Sequence, residues 1–167
     1  FLPDEDQGIM FAQLTTPANA TQSRTVEVLK KIEEHFLNQE TNTVNGLFTV
    51  AGFSFSGRGQ NAGIAFVNLK NWSQREDEED SVFAIAGRAM AAFSGIREAQ
   101  IFAFTPPSII SLGNATGFDV QLVDRGGVGH EMLMQARNQL LGMANQDPRL
   151  SEVRPNGLDD TPQFQID

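Results

Sequence analysis

Gly57-Arg58-Gly59-Gln60-Asn61-Ala62-Gly63 is the stretch whose residue types come nearest to a phosphate-handling loop. The glycine spacing is off by one residue, and a strand is expected after it. Without a helix N-terminus there is no dipole to hold a pyrophosphate, so this chemistry is rejected. Gly126-Gly127-Val128-Gly129 does precede a helix, but as a lone glycine turn it reads as an ordinary connection. His35 and His130 have no partner at metal-ligand spacing; His35 reads as exposed on its helix and His130 as sitting at a helix start. Glu76-Asp77-Glu78-Glu79-Asp80 reads as a solvated acidic cap that complements a helix dipole, not as a cation site. No serine sits in a nucleophile elbow. The chain has no cysteine, which excludes disulfides, thiolate nucleophiles and thiolate metal sites. No catalytic residue, metal or cofactor is expected, and the chain does not read as an enzyme.

What the composition does offer is phenylalanine: 13, against one tryptophan and no tyrosine. Phenylalanine surfaces hold apolar groups without demanding hydrogen bonds, which suits loose specificity. The stretch from residue 52 to 63 concentrates this chemistry, with Phe53, Phe55 and Arg58 set among Gly52, Gly57, Gly59 and Gly63. It lies between the strand-like runs 47–51 and 64–69. It reads as a mobile loop with aromatic anchors and one cation, because loops on a rigid scaffold are where recognition concentrates. The alternative at this point is a long hairpin connection whose phenylalanines cap the core.

The bulk numbers set the frame. At 167 residues the chain is one domain or two small ones. A net charge of −9 repels phosphate backbones and argues against nucleic acid or an anionic membrane as the main partner. No apolar run approaches the roughly 20 residues that span a bilayer. The first residues lack the pattern of a signal peptide, and the chain stops within a strand-like alternation, as a piece of something longer would.

The elements that must position these residues follow from periodicity. Residues 8–16 alternate as a strand, with Phe11, Gln13 and Thr15 on one face and Met10, Ala12 and Leu14 on the other. A helix to about residue 38 carries the stripe Thr25, Val28, Leu29, Ile32 and Phe36. Strands are expected at 44–50 and 63–70, then a helix at about 81–96 with Val82, Ile85, Ala89, Phe93 and Ile96 inward, then a strand at 99–104. Residues 7–105 therefore spell β-α-β-β-α-β, the split βαβ or ferredoxin-like arrangement of an α+β protein. Its helix-free face would take Phe11, Phe66, Phe102 and Phe104. Punctuation at 105–117 marks a boundary. Beyond it an incomplete second βαβ unit is expected: strands at 118–124, 150–153 and 161–167, and a helix at 131–145 with Leu133, Ala136, Leu140 and Ala144 inward.

Several long ungapped motifs resemble the RND multidrug efflux pumps of the AcrB/MexB type. They are Phe1-Leu2-Pro3-Asp4-Glu5-Asp6-Gln7-Gly8, the run from Gly57 to Val67, Ala115-Thr116-Gly117-Phe118-Asp119, Gln135-Ala136-Arg137-Asn138-Gln139-Leu140-Leu141 and Val153-Arg154-Pro155-Asn156-Gly157-Leu158. The resemblance implies the periplasmic porter region in the second half of such a pump. Residues 1–105 would form its first subdomain, 106–116 a connection lining a cleft, and 117–167 the start of the next subdomain. It also implies that the glycine-rich stretch is the switch loop between an access and a deep drug pocket, with Gly52, Gly57, Gly59 and Gly63 as hinges. Phe53, Phe55 and Arg58 match switch-loop contacts; Phe48, Val50 and Phe66 match deep-pocket positions. Gln13, Phe102, Phe104, Arg154 and Asn156 match access-pocket or entrance positions. Ser111 stands where the best-known relative carries a glutamate near the entrance, and Phe11 and Gln13 stand where it carries methionines.

The implied function is capture of amphiphilic drugs, dyes, detergents or bile-salt-like molecules, with no transport by the fragment alone. The implied setting is the periplasmic part of a bacterial inner-membrane protein, a homotrimer working with a periplasmic adaptor and an outer-membrane channel. This piece would not enter the membrane. A stand-alone ferredoxin-like domain that senses a small molecule is the alternative. RNA binding on sheet aromatics is a weaker one, opposed by the charge.

Overall fold

The computed structural model describes residues 5–107, 118–150 and 153–155. Its first unit runs β1 (Ile9–Thr15), α1 (Gln22–Asn38), β2 (Val44–Ser54), β3 (Gly57–Leu69), α2 (Val82–Phe93) and β4 (Gln100–Phe104), with two 3-10 turns before α2. The strands pair in the order β2-β3-β1-β4, every neighbour antiparallel. This is the expected βαββαβ ferredoxin-like arrangement, with β3 inserted between β1 and β2.

Alternation in the strands sends Met10, Ala12 and Leu14 of β1, Ala65 and Val67 of β3, and Ala103 of β4 to the face that α1 and α2 cover. The α1 stripe of Thr25, Val28, Leu29, Ile32 and Phe36 is buried as its spacing predicts, and so are Val82, Ile85, Ala89 and Phe93 of α2. Helix α2 ends at Phe93, and Ile96 packs against the core from the turn that follows. The Ser81 side chain caps α2 by accepting from the Ala84 N–H.

His35 departs from expectation. It is buried, with its ring edge-on to Phe36 and Phe93 at 5.2 and 5.1 Å between centroids. The periodicity of α1 shows only the stripe that meets the sheet; α2 packs over the edge of that stripe and encloses position 35. Burial pushes the His35 pKa below its ordinary value, and its Nε2 has no hydrogen-bond partner.

Gly63 has a packing role. A Cβ there would lie 3.2 Å from Leu14 Cγ and 3.3 Å from both Leu29 methyls, so its missing side chain lets α1 close on the sheet. Beside it, Thr25 Oγ1 donates to the Gln60 carbonyl at 2.7 Å, and Thr16 and Asn61 exchange backbone and side-chain bonds. These contacts fix the root of the β2–β3 hairpin.

The second unit differs from the expected βαβ. Helix α3 (His130–Ala144) forms, with His130 as its first residue, but residues 118–124 form no strand. A lone alternating segment cannot make a ladder without a neighbour. No residue of α3 is buried, so Leu133, Ala136, Leu140 and Ala144 are not inward. An amphipathic stripe is buried only where a second layer meets it. Of the expected strand at 150–153, Leu150 and Val153 are not in strand and the rest lies outside the described residues, as does 161–167. The glycine turn is closed by Asp124, whose carboxylate accepts from the N–H groups of Gly126, Gly127 and Gly129 at 2.8–3.0 Å. The amides that could have met a phosphate are turned onto the chain's own carboxylate. The N–H of Gly129 foremost holds the Asp124 pKa low.

The lead-in to β1 is pinned by charge. Arg75 is buried and pairs with Asp6 through both terminal nitrogens, at 3.0 and 3.1 Å; it also donates to the carbonyls of Lys70 and Asp80. Asp6 accepts from the N–H groups of Gly8 and of Val82, the first residue of α2. Partial burial opposes the ionised form, but Arg75 and these amides prevail and hold the Asp6 carboxyl down at about 2. Arg75→Ala leaves this partly buried carboxylate unpaired and is expected to cost about 3 kcal/mol in urea unfolding at neutral pH. Because the folded pKa lies below the ordinary 3.8, the contribution of Asp6 is complete above that value and is lost as pH falls toward 2. The stability gap between the native chain and Asp6→Asn should therefore close over that window. Gly63→Ala is expected to destabilise by roughly 1–3 kcal/mol through overpacking. At Gly46, where a Cβ meets nothing within 4 Å, the same change should stay within about 0.5 kcal/mol.

Candidate functional site

The sheet face away from α1 and α2 carries two cross-strand rows. Register places Phe48 of β2 beside Phe66 of β3, then Phe11 of β1, then Phe104 of β4. The next row is Val50, Ile64, Gln13 and Phe102. Residues two apart on a strand share a face, so eight residues from four strands converge without any loop. Phe11 is the hub: its centroid lies 5.4 Å from Phe66 and 5.7 Å from Phe104, both edge-on. Phe48 stacks on Phe66 at 5.7 Å and remains 62% exposed, the open rim of the cluster. None of the eight residues titrates at any ordinary pH. The surface can exclude water and offer ring faces, and it holds no group for proton transfer.

The glycine-rich stretch is not an open loop. β2 continues to Ser54, β3 begins at Gly57, and the turn between them is only Phe55-Ser56. Within the run Phe53 pairs with Arg58 and Ser54 with Gly57, while Ala62 and Gly63 pair with β1, which a sequence of mixed glycine and polar residues does not advertise. The ladder slips register between Ala51 and Phe53, where Gly52 takes φ +93°, and Gly57 beside the turn takes φ 151°. A side chain at Gly52 would be strained. Gly59 and Gly63 lie within β3.

Past the bulge the hairpin tip folds back onto the rows. The Phe55 N–H donates to Gln13 Oε1 at 3.2 Å, and Gln13 Nε2 donates to Ser56 Oγ. The Phe55 ring sits 5.3 Å from Phe11, 6.3 Å from Phe104 and 6.4 Å from Phe66. Phe53 meets Phe55 edge-on at 6.3 Å and pairs in the ladder with Arg58, which is exposed. Ile64 is fully buried though it lies outside the core under the helices; its ladder neighbour Gln13 is the residue that holds the tip.

Of the residues that the sequence singles out, Gln13, Phe48, Val50, Phe53, Phe55, Phe66, Phe102 and Phe104 are brought together, and Arg58 lies beside them on the hairpin. Arg154 is half-buried and belongs to the second unit. Asn156 and Ser111 lie outside the described residues. Sequence reasoning put Phe11 on this face and Ile64 on the same face of its strand as Phe66 without assigning either to the site, and it missed Ser56. The signal for Phe11 was its place in a strand flanked on both sides; nothing local marks Ser56. A separate depression of about 290 Å³ lies on the helix side, lined by Lys31, Glu34, His35, Asn38, Phe93 and Ile96 among others. It is mostly polar and shares no residue with the aromatic face.

Among the described residues no helix is long and apolar enough to cross a membrane. Comparison with known proteins gives a match to the model of the AcrB/AcrD/AcrF family over residues 1–167. The chain is 56% identical over 166 residues to the multidrug/solvent efflux pump membrane transporter MepB of Pseudomonas putida, covering 99% of this chain and 16% of that protein. It is 50% identical over 167 residues to the multidrug resistance protein MdtF of Escherichia coli K12, covering 99% and 16% respectively. Against the multidrug export protein AcrF of the same strain it is 51% identical over 168 residues, covering 100% and 16%. The chain thus spans about a sixth of the length of the relatives it matches. With every residue inside the family match and half or more of the aligned positions identical, this chain belongs to the AcrB/AcrD/AcrF family.

Proposed function

We propose that the chain is the substrate-binding porter portion of a proton-driven multidrug efflux pump, and that the two rows under the β2–β3 hairpin form its drug-binding surface. The observation that carries the reading is the uncharged, helix-free face in which Phe11, Phe48, Phe66 and Phe104 form one continuous ring cluster. The names of the relatives, all efflux or resistance transporters, support it. Amphiphilic drugs, dyes, detergents and bile-salt-like molecules are the substrates. The setting is the periplasmic side of the inner membrane, in a homotrimer that works with an adaptor and an outer-membrane channel. The piece itself has no enzymatic activity, and the proton-coupling groups lie elsewhere in the pump.

The energetics suit broad, moderate affinity. Covering about 100 Å² of apolar surface stabilises a complex by roughly 2.5 kcal/mol at ~25 cal/mol per Å². An edge-on or stacked ring contact adds about 0.5–1.5 kcal/mol. Neither contribution demands a particular functional group, so shape and apolar area decide what binds. The hairpin acts as the switch element, using Gly52 and Gly57 to absorb a change in dihedral angle.

Phe66→Ala removes the ring that joins Phe48 to Phe11. It is expected to weaken binding of a neutral amphiphilic dye by about tenfold and to raise dye accumulation in cells carrying the full-length transporter. Lys30→Ala, on the exposed side of α1, is the control. Equal dye handling by both variants would remove the aromatic face as the binding surface. Gly52→Val, at φ +93°, is expected to impair export of bulky amphiphiles more than of small ones. A uniform loss across sizes would end the switch reading.

A further inference from the structure

We propose that Phe55 is an internal plug of the aromatic face and that Gln13 is the latch that holds it there, so that the Gln13 amide sets how readily the face admits a large apolar ligand. The ligand half of this statement rests on the reading of the face as a binding surface; the latch half stands on the geometry alone.

The plug follows from where the ring sits. Phe55 lies within 5.3–6.4 Å of Phe11, Phe104 and Phe66, all edge-on, which is the arrangement an aromatic guest would take on the same three rings. The face is thus occupied by a piece of its own chain, and a bulky ligand must compete with it. Phe48, at the far end of the row, is left open.

The latch follows from what holds the turn. The rings alone cannot fix a two-residue tip beyond a bulge, since apolar contact has no direction. Gln13 supplies direction with both ends of one amide, accepting from the Phe55 N–H and donating to Ser56 Oγ. Its backbone belongs to β1, ladder-paired on both sides, so the latch is anchored in one of the two central strands of the sheet. Gln13 is itself buried, at 8% exposure, so if the tip left without a replacement its amide would stay partly dry and unpaired. A ligand that brings its own hydrogen-bonding group to Gln13 removes that penalty. The latch thereby favours large amphiphiles with a polar edge over plain hydrocarbons of the same size.

The test uses Gln13→Met, which keeps side-chain length and volume but loses both hydrogen bonds, together with Ser56→Ala at the half-exposed tip. Amide hydrogen exchange in the 167-residue chain should show the Phe55 N–H exchanging about tenfold faster in Gln13→Met and about threefold faster in Ser56→Ala. The Ile32 amide in α1 should be unchanged, which separates unlatching from general loosening. The neutral polycyclic dye Nile red, followed by fluorescence, should bind several-fold tighter to Gln13→Met and to Phe55→Ala than to the native chain. Unchanged Phe55 exchange in Gln13→Met would overturn the latch. Faster exchange with Nile red bound equally by all three proteins would overturn the plug. If Nile red bound none of them while the exchange difference held, the latch would stand and the reading of the face as a ligand surface would fall.

Discussion

A four-stranded antiparallel sheet has two faces, and in the first unit of this chain α1 and α2 both lie on one of them. Everything distinctive about the molecule follows from how the second face is managed. Its rows are as apolar as a core, yet among the described residues of the first unit no second layer of regular structure meets them. The hairpin tip supplies a partial cover by folding past its bulge, bonding to Gln13 and inserting Phe55 between three rings. The cover stops short of Phe48. A face that is part core and part open surface suits reversible apolar binding, because a guest ring that displaces the tip replaces one aromatic packing with another of the same kind.

That arrangement is sustainable only because the covered face is firm. Gly63 lets α1 approach the sheet directly beneath the hairpin root, and Thr16, Thr25 and Asn61 tie the root to β1 and α1. At the other end of the sheet the Asp6–Arg75 pair joins the lead-in of β1 to the start of α2. The Glu40–Arg88 pair links the end of α1 to α2 in the same way, with Arg88 donating to both carboxylate oxygens at 2.8 Å. Partial burial opposes the ionised Glu40, and the guanidinium outweighs it. Polar contacts thus sit at the edges of the first unit while its two faces remain apolar, so motion of the tip need not disturb the core.

The second unit shows the complementary case. Helix α3 has the amphipathic pattern of a core helix but no buried residue, and the alternation at 118–124 produces no strand. Pattern is a statement about which side of an element could be buried. Burial itself requires the partner layer, and in this unit the described residues do not provide one.

Sequence alone determined the element order of the first unit, the inward stripes of α1 and α2, and which residues within each strand share a face, as Phe11 does with Gln13 and Phe102 with Phe104. These depend on local periodicity, with a repeat of two residues in strands and 3.6 in helices, which is written in residue order. Only the tertiary structure decided that the glycine-rich stretch is a paired hairpin folded onto the sheet, that His35 is enclosed by α2, and that the Gln13 amide is spent on Phe55 and Ser56. Each of these joins residues that are tens of positions apart in the chain, and no repeat within one segment records which distant segment will cover it.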